Sequence, residues 1–178
     1  MGCESVLVVG VGNRLYGDDG AGSCLAESLR TCHPELNVEV HETLSFWETG
    51  IFEGRSLVVI ADAVNAQPLG SPKLYKLEPR ALPPEEVSSL LYSADPHDAS
   101  PALLVTLAHA AGVLKGDCYL LGIPAARVEL GFGLSEEALR AMALALPLLE
   151  RLLSRYGCSV NLKRDCLENA FRECGAMR

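Results

Sequence analysis

The 178-residue chain contains no uninterrupted apolar run of about 18 residues, the length that a membrane-spanning helix requires. Its N-terminus also lacks the basic flank, long apolar segment and small-residue cleavage site of a secretory signal. Hydrophobic residues nevertheless make up 49% of the chain, and the length suits one domain with a substantial core. We therefore expect a single compact, cytoplasmic protein that does not insert into a membrane.

Basic residues are too few and too scattered for a nucleic-acid-binding surface. The chain has 15 Lys and Arg against 23 Asp and Glu, which gives a formal net charge of −8. Because phosphate binding needs a concentrated basic surface, this composition excludes nucleic acid as a partner. We expect a monomer whose partners are proteins or small molecules.

No C-x-x-C pair is present among the seven cysteines, and their number is odd. In a chain without a secretory signal, this pattern favours buried free thiols over a disulfide framework. A metal site would want closer cysteine pairs or nearby histidines. The cysteines are Cys3, Cys24, Cys32, Cys118, Cys158, Cys166 and Cys174.

Short apolar runs of strand length alternate with amphipathic stretches of helix length. The predicted strands are Val6–Val9, Val38–Val40, Leu57–Ala61 and Tyr119–Leu121, and the predicted helices are Ala21–Thr31, Ser100–Leu114 and Ser135–Tyr156. Such an alternation is typical of parallel strands covered on both faces. It predicts a three-layer α/β/α sandwich around a mostly parallel, twisted sheet.

Two further segments complete the predicted domain organisation. Lys73–Leu77 alternates in polarity after a turn-rich stretch, which indicates an antiparallel edge strand. After Gly157, apolar residues and cysteines recur four apart, as on an amphipathic helix. We expect an α/β domain over residues 1–157 and a helical C-terminal extension, residues 158–178, that packs on it.

A glycine-rich turn follows the first strand, where open α/β sheets bind ligands. A dinucleotide fingerprint would place its third glycine at the position of Leu15, and it would not put Asp18 and Asp19 where a pyrophosphate should lie. The nucleotide interpretation is therefore weak. Either acid is also a reasonable cap for the helix that begins near Ala21.

Asp62 directly follows the third apolar strand, so it emerges at the same sheet edge as the glycine-rich turn. His97 lies in a turn ahead of the next helix, where an imidazole is free to project. Two carboxylates and one imidazole from three loops would suit a divalent transition metal. The ordinary alternatives are that Asp62 caps a helix or binds backbone amides in the following loop, and that His97 is a solvated histidine.

Several ordered motifs together resemble the signature of the hydrogenase maturation endopeptidases. They are Val8–Asn13, Gly17–Gly22, Ile60–Ala63, His97 in its loop, Leu121–Pro124 and Gly131–Ser135 before a long final helix. The resemblance covers roughly residues 5–155. One departure follows strand two, where the family's acid-Gly-Gly-Thr-like turn is replaced by the segment His41–Trp47.

The resemblance implies an aspartyl endopeptidase-like hydrolase that removes a C-terminal peptide from the nickel-loaded precursor of a nickel–iron hydrogenase large subunit. By the family pattern, Asp19, Asp62 and His97 are both the catalytic and the metal-binding residues. Nickel would arrive with the precursor, and another divalent metal could bind the isolated protein. No residues are expected to bind an organic cofactor.

The other histidines and the possible nucleophiles carry no comparable signal. His109 is expected to be packed or on a helix surface, and His33 and His41 have no evident acidic partners. The absence of a G-x-S-x-G elbow disfavours covalent catalysis. Two alternatives remain open: a non-enzymatic nucleotide- or flavin-binding module, and a nickel-binding hydrogenase accessory protein without protease activity.

Overall fold

The computed structural model describes residues 2–65, 70–95, 97–131 and 133–176. Its sheet has the strands β1 (Val6–Val11), β2 (Asn37–His41), β3 (Leu57–Val64), β4 (Lys73–Leu77) and β5 (Asp117–Pro124). They are ordered β2-β1-β3-β5-β4, and only the β4–β5 pair among them is antiparallel. The predicted mostly parallel sheet with an antiparallel edge strand is thereby confirmed.

Five α-helices surround the sheet in the described residues: α1 (Ala21–Cys32), α2 (Pro84–Ser93), α3 (Pro101–Ala110), α4 (Glu136–Arg155) and α5 (Arg164–Gly175). Alternate side chains of β1 enter different cores, Val6 and Val8 with α1, α4 and α5, and Leu7 and Val9 with α3. A strand sends successive side chains to opposite faces, so both faces of the sheet are covered and the three-layer expectation is confirmed.

The two predicted serine caps are present, whereas one helix of the structure was not expected from the sequence. Ser100 and Ser135 accept hydrogen bonds from the amides of Leu103 and Ala138, as N-caps do. Helix α2 is absent from the sequence-based prediction. It begins at Pro84, directly after Pro83, and none of its residues is buried. In the parts of the chain that are described, no helix is long and apolar enough to cross a membrane.

The expectation of free cysteines is wrong for six of the seven. Disulfides join Cys3 to Cys158, Cys24 to Cys174 and Cys32 to Cys166, and only Cys118 is a free, buried thiol. Each pair is separated by 134 residues or more along the chain, so no local spacing could reveal it. Folding of the C-terminal segment against α1 brings four of these cysteines together.

His33 also has partners that the sequence did not indicate. Its ring is buried, with Nδ1 2.7 Å from Glu35, while Nε2 accepts a hydrogen bond from the Lys163 amide. It therefore fastens the segment before α5 to the end of α1. Leu167 and Phe171 of α5 are buried in the core that also contains side chains of α1, so this helix packs against the rest of the protein.

Candidate functional site

The glycine-rich turn between β1 and α1 owes its shape to very close backbone contacts. Gly12 has a φ of 140°, and a Cβ on it would collide with the carbonyl oxygen of Asp19. A Cβ on Gly22 would collide with the carbonyls of Val11 and Ala61. Without side chains at these positions, the turn folds tightly and α1 begins directly against β1 and β3.

Asp18 is a fully buried carboxylate that joins this turn to the loop after β5. Its Oδ2 accepts hydrogen bonds from the amides of Ala126 and Arg127 at 2.8 and 2.9 Å. The amide and hydroxyl of Ser135 both donate to the same carboxylate at 2.7 Å. Asp18 thus makes no side-chain cap for α1 and instead binds the N-terminus of α4, which Ser135 caps.

Asp19 and Asp62 lie near each other at the carboxyl edge of the sheet. Asp19 Oδ2 accepts a hydrogen bond from the Asn13 amide at 2.9 Å, which fixes its side chain within the turn. The pKa of Asp62 is raised from its ordinary 3.8 to about 7, chiefly by burial and also by the negative charges of Asp19 and Asp98. The structure therefore brings together two of the three predicted site residues.

His97 lies on the loop before α3, and that loop is anchored to the segment after β2. The His97 carbonyl accepts a hydrogen bond from the Thr43 hydroxyl at 3.0 Å, and the Ala99 amide donates to Leu44 at 2.7 Å. The His97 side chain is exposed. Its neighbour Asp98 acts on the pKa of Asp62, so the loop approaches Asp62.

The described residues do not by themselves form a closed metal site. Among them, no group of three or more histidine, cysteine, aspartate or glutamate side chains is placed to hold a metal ion. The roles of Asp19, Asp62 and His97 as metal ligands therefore stay a prediction. An arrangement with two neighbouring acids and an exposed imidazole would need an ion that brings other ligands with it.

A groove of about 350 Å³ opens beside Asp19 and is lined by Ala63, Val64, Asn65, Ala125, Ala126 and Val128. Next to it, two backbone hydrogen bonds join the glycine-rich turn to the loop after β5, from Asp18 to Arg127 at 2.8 Å and from Gly131 to Leu15 at 2.9 Å. These two segments expose the large apolar side chains of Leu15, Tyr16, Val128 and Leu130. Exposed apolar groups beside a groove are typical of a surface that binds a polypeptide.

The segment that departs from the family pattern begins at His41, whose ring lies next to two acids outside the segment. His41 Nε2 lies 3.0 Å from Glu39, and its Nδ1 lies 3.8 Å from Glu48, contrary to the expectation that it has no acidic partners. Glu48 also forms a capping box with Ser45 at the start of the 3-10 helix Phe46–Phe52. The Ser-x-x-Glu spacing was the available signal for this cap.

Cys118 offers no nucleophile to the site. Its thiol is buried on β5, and burial raises its pKa to about 12, so almost no thiolate exists at neutral pH. His109 is exposed on α3, which matches the surface alternative given for it. These observations agree with chemistry that depends on the acids at the sheet edge.

Comparisons with known proteins agree with the family resemblance found in the sequence. No protein-family model matches the chain. A protein of Methanocaldococcus jannaschii, provisionally named as a hydrogenase maturation protease, is 26% identical over 154 residues, covering 82% of this chain and 94% of the relative. The resemblance to hydrogenase maturation endopeptidases is thereby confirmed, and these relatives are named as peptidases.

Solved structures share the fold. The hydrogenase 2 maturation peptidase from Thaumarchaeota archaeon SCGC_AB-539-E09 is 28% identical with a TM-score of 0.55, covering 84% of this chain and 98% of that one. The hydrogenase maturating endopeptidase HybD from Escherichia coli is 23% identical with a TM-score of 0.61, covering 90% and 98%. The likeness to HybD concerns the fold alone.

We expect Asp18→Asn to destabilise the protein by about 2–4 kcal/mol. Four donors converge on the two oxygens of the carboxylate, whereas the amide of asparagine has only one oxygen that can accept. Urea unfolding monitored by circular dichroism measures the change. Asp19→Asn is the matched control, since its amide oxygen can still accept from Asn13. Equal stability of the two variants would contradict a structural role specific to Asp18.

The raised pKa of Asp62 makes stability depend on pH. The native carboxyl binds its proton more tightly than the unfolded chain does, so this contribution to the free energy of unfolding is complete below pH 4 and is lost as the pH rises through about 7. Asp62→Asn cannot ionise and escapes this loss, which amounts to at most about 4 kcal/mol. Its stability relative to wild type should therefore increase between pH 4 and 8.

Urea unfolding at several pH values tests this difference. Asp117→Asn is the control. The hydrogen bond from Tyr156, and after it the one from Lys76, lowers the pKa of the Asp117 carboxyl from its ordinary 3.8, so this group does not titrate between pH 5 and 8. Its difference from wild type should be constant between pH 5 and 8. A constant difference for Asp62→Asn as well would refute the raised pKa.

Proposed function

We propose that this protein, which resembles the hydrogenase maturation endopeptidases, removes a C-terminal peptide from the nickel-loaded precursor of a nickel–iron hydrogenase large subunit. The observation that carries the proposal is the pair of neighbouring acids, Asp19 and Asp62, at the sheet edge beside an open groove. Nickel belongs to the substrate in this proposal. The similarity to the proteins named as maturation proteases supports the substrate class.

The site suits a metal that arrives already bound by another protein. Two acids and one imidazole leave coordination positions for ligands from the precursor, and nickel accepts such oxygen and nitrogen ligands. We propose that Asp19, Asp62 and His97 contact the precursor's nickel and so fix the scissile peptide beside the groove. A precursor without nickel would lack this attachment and would not be cut.

The acids also provide a group that can exchange a proton near neutral pH. A carboxyl whose pKa is about 7 is poised between its acid and base forms, as general acid–base catalysis requires. We propose that water attacks the scissile carbonyl, activated by the nickel or by a carboxylate of this pair. Ligation of the metal would require Asp62 to lose its proton.

The groove and its apolar rim are proposed to hold the precursor chain. Val128 lines the groove, and Leu15, Tyr16 and Leu130 are exposed close to it on segments joined by hydrogen bonds. An extended polypeptide entering the groove would cover these side chains and gain apolar contact. This surface would select a protein substrate rather than a nucleotide.

The direct test incubates the protein with a purified large-subunit precursor, either nickel-loaded or nickel-free, and follows the precursor's C-terminal mass. We expect cleavage of the loaded form alone. If both forms are cut, recognition of nickel is wrong. If the loaded cognate precursor stays intact, the peptidase function is wrong, and stoichiometric nickel binding or tight nucleotide binding would then identify one of the two alternative functions.

Substitution of the proposed ligands should abolish processing without unfolding the protein. Asp19→Asn removes a charged ligand from the turn, and His97→Ala removes an exposed side chain, so neither change disturbs the core. His109→Ala is the matched control for a histidine exposed elsewhere, and it should process the precursor at the wild-type rate. Normal processing by His97→Ala would remove this residue from the proposed site.

A further inference from the structure

Two disulfides attach α5 to α1, and they do so at opposite ends of the contact. Cys24 and Cys32 lie eight residues apart on α1, as Cys166 and Cys174 do on α5. The earlier cysteine of one helix pairs with the later cysteine of the other, so the helices run antiparallel. Eight residues span more than two helical turns, or roughly 12 Å. The two bonds can therefore have different local effects.

The Cys24–Cys174 end contacts the glycine-rich turn. Arg14 donates a hydrogen bond to Cys174 Sγ at 3.3 Å, and its other terminal nitrogen pairs with Glu27 on α1. The disulfide also lines a cavity of about 260 Å³ together with Arg14, Leu15 and Gly17. The turn that carries Asp19 thus rests on the end of α5.

A second connection runs from α5 to the buried carboxylate of Asp18. The carbonyl of Gly175, next to Cys174, accepts a hydrogen bond from the Leu134 amide at 3.0 Å. Ser135, the residue after Leu134, donates two hydrogen bonds to Asp18, one from its amide and one from its hydroxyl. Both routes end in the same segment, because Arg14 follows Asn13, whose amide holds the Asp19 carboxylate.

The other disulfide has different surroundings. Cys32 and Cys166 lie near the end of α1, where His33 accepts a hydrogen bond from the Lys163 amide. None of the described hydrogen bonds of this end reaches residues 13–19. The Cys32–Cys166 bond is therefore a matched reference that joins the same two helices.

We infer that the end of α5 is a brace that positions the Asp19-bearing turn, with Cys174 and Arg14 as positioning residues and the Cys24–Cys174 bond holding the brace in place. Loss of this bond frees residues 174–176, which hold the Cys174 partner of Arg14 and the carbonyl that accepts from the Leu134 amide, whereas the Arg14–Glu27 pair remains. The turn then moves more, although the core of the sheet is unchanged. The consequence for catalysis, lower kcat on the precursor, rests on the proposed function.

Reduction opens the brace by ordinary thiol–disulfide exchange. A thiolate of a dithiol such as dithiothreitol attacks Sγ of Cys174, which is half-buried, and Cys24 leaves as a thiolate that takes a proton. The second thiol of the reagent then closes a cyclic disulfide and releases Cys174 as a thiol. Two electrons pass from the dithiol to the protein, and no other reactant is needed.

Amide hydrogen exchange on the full oxidised chain tests the brace without any substrate. In Cys24→Ser/Cys174→Ser, we expect amides of residues 13–19 and 134–135 to exchange at least about fivefold faster than in wild type. The Cys32→Ser/Cys166→Ser control should keep wild-type exchange in these segments. Amides of β1 and β3 report general destabilisation, and they should respond equally in both variants. Equal exchange of residues 13–19 in the two variants overturns the brace.

The response to dithiothreitol provides the second readout. In Cys32→Ser/Cys166→Ser, the reductant should accelerate exchange of residues 13–19, whereas in Cys24→Ser/Cys174→Ser it should add nothing there. If the latter variant does not fold, Arg14→Met with all disulfides intact should still accelerate exchange of the Asn13 and Asp19 amides, and unchanged exchange overturns the brace.

Processing of the nickel-loaded precursor then separates the two proposals. With the brace opened, we expect a severalfold lower kcat with little change in KM, and the loss should be reversed when the disulfide is reoxidised. Failure of the oxidised wild type to cut the precursor refutes the proposed function, while the exchange data still decide the brace. Wild-type kcat in Cys24→Ser/Cys174→Ser refutes the catalytic role of the brace.

Discussion

A buried carboxylate must be matched by hydrogen-bond donors, and the site depends on how Asp18 meets this requirement. Its four donors come from the loop after β5 and from the N-cap of α4. Leaving such a charge unmatched in the interior would cost several kcal/mol, so the turn and this loop are held together. The groove beside Asp19 is lined by residues of this loop, among them Ala126, whose amide binds Asp18.

Adjacent acids in the turn therefore have different tasks. Asp18 is buried and its oxygens are occupied by donors from other segments. Asp19 is only partly buried, and it borders a groove and influences the neighbouring Asp62. A pair of consecutive carboxylates thus combines a structural group with one that remains available to a ligand. The strict backbone contacts of Gly12 and Gly22 make this arrangement possible.

Disulfides join the C-terminal extension covalently to the rest of the protein. Disulfides tie the N-terminal residues and α1 to the region beyond α4, and two of them secure α5. Such bonds limit the conformations of the unfolded chain, and they persist in oxidising compartments or in hyperthermophilic cells. They leave the cytoplasmic location a prediction. They also place the end of the chain against the turn that bears Asp19.

Local sequence patterns predict the strands of the sheet, every described α-helix except α2, and the polar residues that follow the strands. Strand and helix periodicity, serine caps and the glycine-rich motif are local patterns, and they predicted the layered fold, the edge strand Lys73–Leu77 and the family resemblance. The meeting of distant groups could be seen only in the folded molecule: Asp18 with Ser135, Asp19 with Asp62, and six cysteines in three bonds. The hydrogen bond from the Lys163 amide to His33 belongs with these, because such pairing depends on packing between segments far apart in the chain, which no local spacing records.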